Sequence, residues 1–189
     1  MALNPLRAVV VWDAVVRVCH LALIGCVLGA WLTRHRPGAW HEYLGYAGVL
    51  TVVVRCIWGF MGTRPARFVS FVRGPTVVMG YIRLILAKQP PRYLGHNPLG
   101  ALMIVAMLTN LSLISLTGWM FTTDHFFGYA WVINTHLYAT YALFAMVALH
   151  LLGVIYASVR HRENLVAAMI HGRKRAPEVS AKLPPENGG

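Results

Sequence analysis

An all-α integral membrane fold is predicted from this sequence: a four-helix bundle with both chain termini in the cytoplasm. Three observations carry the prediction. The 189 residues are 57% hydrophobic but only 12% charged, whereas a soluble domain is about a quarter charged, and the mean hydropathy is +0.56. Four apolar runs have the length of a bilayer-crossing helix, about 20 residues. Lysine and arginine crowd into alternate connections between those runs, the asymmetry that orients membrane proteins.

The elements follow in order. Residues 1–11 are a short lead containing Arg7. The first span covers about residues 12–33, carries Arg17 and His20 near its start, and is closed by Arg34, His35, Arg36 and Pro37. Trp31 and Trp40 bracket that turn, as interfacial aromatics do. The second span covers about residues 41–62, opens on His41 and contains Arg55. Residues 63–97 form a loop with Arg64, Arg67, Arg73, Arg83, Lys88 and Arg92 and no acid. Within it, residues 75–88 suit a short helix lying along the bilayer surface.

The third span, residues 98–121, contains no charged side chain. A loop at 122–130 carries Asp124 and His125. The fourth span runs from Trp131 to about Val159, and its first 26 residues lack any Asp, Glu, Lys or Arg. Residues 164–170 suit a further amphipathic turn or two. The expected division is a membrane domain at 1–172 and a polar, disordered tail at 173–189, rich in proline and charge. Basic residues concentrate in the 63–97 loop and after the fourth span, which puts both termini in the cytoplasm.

The net charge of +11 does not indicate nucleic-acid binding, because the basic residues lie between apolar runs rather than along one stripe. Cys19, Cys26 and Cys56 sit inside apolar runs and form no C-x-x-C or C-x-x-C-H motif. Disulfide, zinc and covalent haem attachment are therefore unsupported, and packing is the expected role.

Histidines supply the chemistry. His136 and His150 are fourteen residues apart on one uncharged span. That is close to four helical turns, so both imidazoles leave the same face, about 21 Å apart along the axis. Intramembrane imidazoles are expensive unless something uses them. His20 falls at the depth of His150 and His41 at the depth of His136, so four histidines form two pairs, one per leaflet. Zinc would need four ligands converging on one point, which the separation forbids. Two stacked b haems, each iron held by two imidazoles, fit the pattern. With both axial positions filled, electron transfer is favoured over chemistry at the metal.

Arg55 lies fourteen residues after His41, on the same face one leaflet deeper. It is expected beside the His20/His150 pair, where a buried guanidinium needs an anion such as a haem propionate. Arg17, one turn below His20, is a second propionate candidate, with snorkelling to the interface the equal alternative. For the outer haem Arg34 and Arg36 are candidates, with an ordinary solvated turn ranked first for both. His35, His125, His161 and His171 are assigned to the surface. For His96 a helix cap or loop role ranks first, ahead of a propionate or quinone head-group contact. Gly45, Gly48, Ala139, Ala142 and Ala145 suit either a flat macrocycle against the backbone or close helix packing.

The segments VWDAVVRVCH, WHEYLGYAGV, VRCIWGFMGTRPARFVSFVRGP, RYLGHNPLGALM and HRENLVAAMIHGRKR, with the two histidines of the fourth span, resemble the bacterial cytochrome b561 and Ni/Fe-hydrogenase b-type cytochrome family. The resemblance covers nearly all of residues 9–175. It implies a four-helix inner-membrane cytochrome with two haem b groups, ligated by His20 with His150 and His41 with His136. Family members also imply a function: electrons pass between the quinone pool, ubiquinone or menaquinone, and a partner at the periplasmic face, either a c-type cytochrome or a hydrogenase. A related type is a stand-alone superoxide oxidase that reduces quinone, and this remains the alternative. Whether the chain is itself an enzyme, and whether it forms a homo-oligomer, stay open.

Overall fold

The computed structural model describes residues 8–91, 93 and 95–175. The chain is mostly helical, and four of its helices are long and apolar enough to cross a membrane: α1 (Ala14–Thr33), α2 (Trp40–Met61), α5 (Pro98–Phe121) and α6 (Ala130–His161). These match the four expected runs to within about two residues. Little of each helix is buried inside the protein, so their leucine, valine and isoleucine side chains face outward, as lipid contact requires.

Closest packing joins α1 to α2, α5 to α6, and α2 to α5. Helix α6 meets α1 and α2 through rings instead. Trp31 of α1 lies edge-on to Phe144 at 4.8 Å and to Tyr141 at 6.4 Å. Asn110 of α5 donates to the Ala139 carbonyl of α6 at 2.8 Å, a polar tie inside an apolar contact.

Helix starts follow their capping residues. Asp13 caps α1 by accepting from the Val16 amide at 2.9 Å, and the same carboxylate accepts from Trp58 Nε1 at 2.9 Å and from the Thr63 hydroxyl. The start of α1 is thereby tied to the end of α2. Burial works to raise the Asp13 pKa, but the bonds from Thr63, Val16 and Trp58 and the charge of Arg55 outweigh it and hold the carboxyl below its ordinary value. Asp13→Ala removes the cap and both cross-links and is expected to cost about 2 kcal/mol. A thermal melt in detergent unchanged from the parent protein would contradict this.

After α2 the chain turns back beneath it through a 3₁₀ turn (Arg64–Ala66) and the single turn α3 (Phe68–Phe71). A Cβ on Gly59 would overlap the Phe68 ring, and glycine permits this approach. Helix α4 (Pro75–Leu86) has twelve residues, too short to cross a bilayer, as the sequence suggests for a surface helix. Asn97 caps α5 by accepting from the Gly100 amide at 2.7 Å, with Pro98 at the first helical position. The short helix α7 (Leu165–His171) is capped by Asn164 and ends at Gly172, whose φ of 80° is the left-handed region.

Two three-residue strands depart from an all-α reading. β1 (Ala8–Val10) pairs antiparallel with β2 (Arg173–Arg175). The Gly172 carbonyl accepts from the Val11 and Trp12 amides at 2.9 and 3.1 Å, extending the closure. The boundary expected after residue 172 thus falls at the start of β2. The rest of the expected tail, residues 176–189, lies outside the described residues, as does the lead before Ala8.

Candidate functional site

The structure brings the four singled-out histidines together in two pairs. His20 of α1 faces His150 of α6 with ring centres 6.5 Å apart, and His41 of α2 faces His136 of α6 at 6.2 Å. The first pair lies at the end of the helices that holds the chain termini. The second lies at the end with the α1–α2 turn. Two imidazoles sharing one metal through Nε2 stand about 6 Å apart, since two metal–nitrogen bonds of about 2 Å are extended by a ring radius at each end. Both pairs have that separation, so the residues fit a bis-imidazole metal group at each level.

The pairs differ in how their outer nitrogens are held. His41 Nδ1 donates to the Ala30 carbonyl at 2.9 Å. That carbonyl belongs to the last turn of α1, where carbonyls lack helical partners. His136 Nδ1 donates to the Ile114 carbonyl of α5 at 3.0 Å, with the Thr117 hydroxyl 3.2 Å away. Each bond fixes the tautomer and leaves Nε2 for a ligand. At the terminal end, His20 Nδ1 is enclosed and meets no hydrogen-bond partner.

Gly118 makes the His136 contact possible. A Cβ there would stand 3.2 Å from His136 Cε1, close enough to push the ring by a few tenths of an ångström. Gly118→Ala is expected to weaken the Nδ1 bond and to alter the electron paramagnetic resonance signal of any metal group held at His41/His136. The signal from His20/His150 should not move, and a change in that one alone would contradict the contact.

Arg55 is buried, 6% exposed. Its guanidinium carbon lies 5.2 Å from the centre of the Phe68 ring, one NH₂ group approaches the Ala66 carbonyl at 3.5 Å, and Nη1 has no partner. Arg17 Nε is likewise enclosed without a partner. Unsatisfied buried donors are rare and call for an anion. Arg34 instead stacks on Trp31 at 3.7 Å and donates to the Trp31 carbonyl at 2.6 Å, and Arg36 is exposed.

Of the cap or loop role expected of it, His96 has the second: it lies in the loop before α5, and Asn97 performs the capping. Its ring lies between Trp12, at 4.4 Å, and Phe71, at 4.7 Å, and Nδ1 is enclosed without a partner. Burial first, then the charges of Arg55 and Lys174 and the nearby His150, lower its pKa to about 3, so it is neutral at physiological pH. The adjacent Asn97–Pro98 pair was the available signal that His96 is free of the cap.

Of the four histidines assigned to the surface, His35, His125 and His171 are exposed and His161 is half-buried. The small residues divide between two roles. A Cβ on Gly48 would meet Cys26 of α1 at 3.7 Å, and Ala139 is buried against α5, which is helix packing. Gly45, one turn below His41 on its face, has nothing within 4 Å of a Cβ, and Ala142 and Ala145 are exposed. The three cysteines are free thiols. Among the described residues no cluster of three or more His, Cys, Asp or Glu could hold a metal ion.

Apolar spanning helices that present imidazoles to one another define a multi-pass membrane cytochrome of the b type, a carrier of electrons. Residues 11–172 match the prokaryotic cytochrome b561 family, and the chain belongs to that family.

Three relatives, each named as a probable Ni/Fe-hydrogenase B-type cytochrome subunit, are similar to the chain. The Rhodobacter capsulatus protein is 25% identical over 68% of this chain and 60% of its own length. The Bradyrhizobium diazoefficiens protein is 24% identical over 88% of this chain and 86% of its own length. That of Rhizobium leguminosarum bv. viciae is 26% identical over 89% of each. The last two alignments run over 215 and 214 residues, longer than this chain's 189, so those relatives carry internal segments absent here. No solved structure matches the chain.

Proposed function

We propose that this chain is a four-helix membrane bundle that passes electrons through two haem b groups, one held by His20 and His150, the other by His41 and His136. When bound, haem supplies a one-electron couple; the protein supplies the ligands and their setting. The observation that carries the reading is the pair of ring separations, 6.5 and 6.2 Å, repeated fourteen residues apart on α6. Arg55 and Arg17 hold the propionates of the first haem, which supplies the anion their unpartnered nitrogens lack.

The basic loop at 63–97 and the basic residues after α6 support cytoplasmic termini in a bacterial inner membrane, with His41/His136 on the periplasmic side. Electrons then cross between the membrane quinone pool and a periplasmic redox protein. The relatives' names support a hydrogenase as that protein, and their extra internal segments, missing here, leave a c-type cytochrome as the other class.

Pyridine haemochrome analysis of the purified protein is expected to give two haem b per chain, and one or none would overturn the reading. Stopped-flow reduction by quinol, by a reduced c-type cytochrome and by superoxide then separates the partners. Fast reduction by superoxide alone would make the chain a stand-alone superoxide oxidase.

A further inference from the structure

We propose that the segment between α2 and α5 forms a collar that binds the head groups of anionic phospholipids at the end of the bundle holding the chain termini. The collar lies outside the helices that carry the histidine pairs, and its binding does not depend on what those pairs hold. Three features of the segment point to this ligand.

The first is charge. From Thr63 to Asn97 the sequence holds Arg64, Arg67, Arg73, Arg83, Lys88 and Arg92 and no Asp or Glu. Arg64, Arg67, Arg73, Arg83 and Lys88 are exposed. Two of these side chains bend back on their own backbone. Arg67 Nε donates to the Gly62 carbonyl at 2.7 Å, and Arg73 Nη2 donates to the Ser70 carbonyl at 3.0 Å. A carbonyl orients a guanidinium without neutralising it, so the charge stays available to a phosphate.

The second is placement. The segment leaves α2 beside Asp13, through the Thr63 bond, and its far end is tied to the last turn of α6, where Arg160 donates to the Lys88 carbonyl at 3.2 Å. Tyr81, buried with Tyr93 edge-on at 5.6 Å, pins the middle of α4. The twelve residues of α4 span about 18 Å, so Arg73 before it and Lys88 after it serve separate head groups.

The third is the apolar setting. In α4 the less exposed Val78, Tyr81, Ile82 and Ile85 recur at helical spacing and face the bundle. Thr76, Arg83 and Ala87 fall on the opposite side. Along the two edges stand exposed pairs seven residues apart, Val77 with Leu84 and Met79 with Leu86. Apolar surface thus covers more than half of the helix and a narrow polar stripe the remainder, the form of a helix lying in a bilayer interface. Val69 and Leu86 are 81% and 77% exposed, and exposed Phe60 and Met61 continue this surface onto the lipid-facing side of α2. A free anion would satisfy the arginines and leave these side chains in water, whereas a phospholipid covers both.

Native mass spectrometry of the holoprotein in detergent tests this, with phosphatidylglycerol and phosphatidylcholine of the same acyl chains titrated in turn. Phosphatidylglycerol is expected to bind in preference. Arg73→Gln and Arg83→Gln, both at exposed positions, should each weaken its binding about fivefold and leave phosphatidylcholine binding unchanged. Arg83→Lys keeps the charge and should bind as the parent does, which serves where a glutamine variant fails to fold. Equal binding of the two lipids by the parent protein, or undiminished phosphatidylglycerol binding in both glutamine variants, would overturn the proposal. Displacement of the bound lipid by inorganic phosphate would also overturn it, since the surface would then be a site for free phosphate.

Discussion

His136→Ala is expected to leave the purified protein with one haem in place of two, and His150→Ala to do the same at the other level. Each substitution takes away one of two axial nitrogens and leaves the partner imidazole, His41 or His20, without its counterpart across about 6 Å. The membrane setting adds to the loss, since the emptied face cannot be filled by lipid-exposed polar groups. Pyridine haemochrome counting and the reduced-minus-oxidised spectrum read the outcome directly. Two full haems in either variant would show that the pairing is mistaken. The double variant should be colourless, because α6 is the helix that serves both levels.

Acidification should weaken the protein through His96, and the effect is large because one ring carries it. Its folded pKa of about 3 lies below the value of about 6.5 for an unfolded histidine. As pH falls under 6.5 the unfolded chain gains a proton that the folded chain refuses. Stability from neutral His96 is therefore complete above pH 6.5 and is lost as pH falls toward 3. Between the two values the slope should be about 1.4 kcal/mol per pH unit, the linkage value for one proton. Thermal melts from pH 7 to pH 4 should fall less steeply in His96→Phe, which keeps the stack with Trp12 and Phe71 without a titrating nitrogen. Parallel profiles would exclude His96 as the source.

The spans were legible because an uncharged run of the right length has few other uses. The third, from Pro98 to Phe121, was bounded to the residue because Asn97–Pro98 is a helix start written in side chains. Pairing of the histidines was legible because fourteen residues is nearly a whole number of turns. What holds their Nδ1 atoms was not, because Ala30 and Ile114 act through backbone carbonyls, which every residue possesses. Gly118 gave no sign of its contact with His136 for a similar reason: its contribution is the side chain it lacks. The β1–β2 ribbon was also hidden, since three-residue strands carry no alternating pattern and these partners stand 165 or so residues apart.

That ribbon has a consequence for how the molecule is completed. Ala8 and Arg175, which pair in the ribbon, stand at the two ends of the described residues. Contacts of such wide sequence separation form late, after local helices and their neighbours are in place. The start of α1, with Arg17 against Gly172 and Trp12 beneath Lys174, is therefore closed only after residues 172–175 have been made. A chain released before residue 172 would leave the start of α1, the helix that carries His20, without that closure.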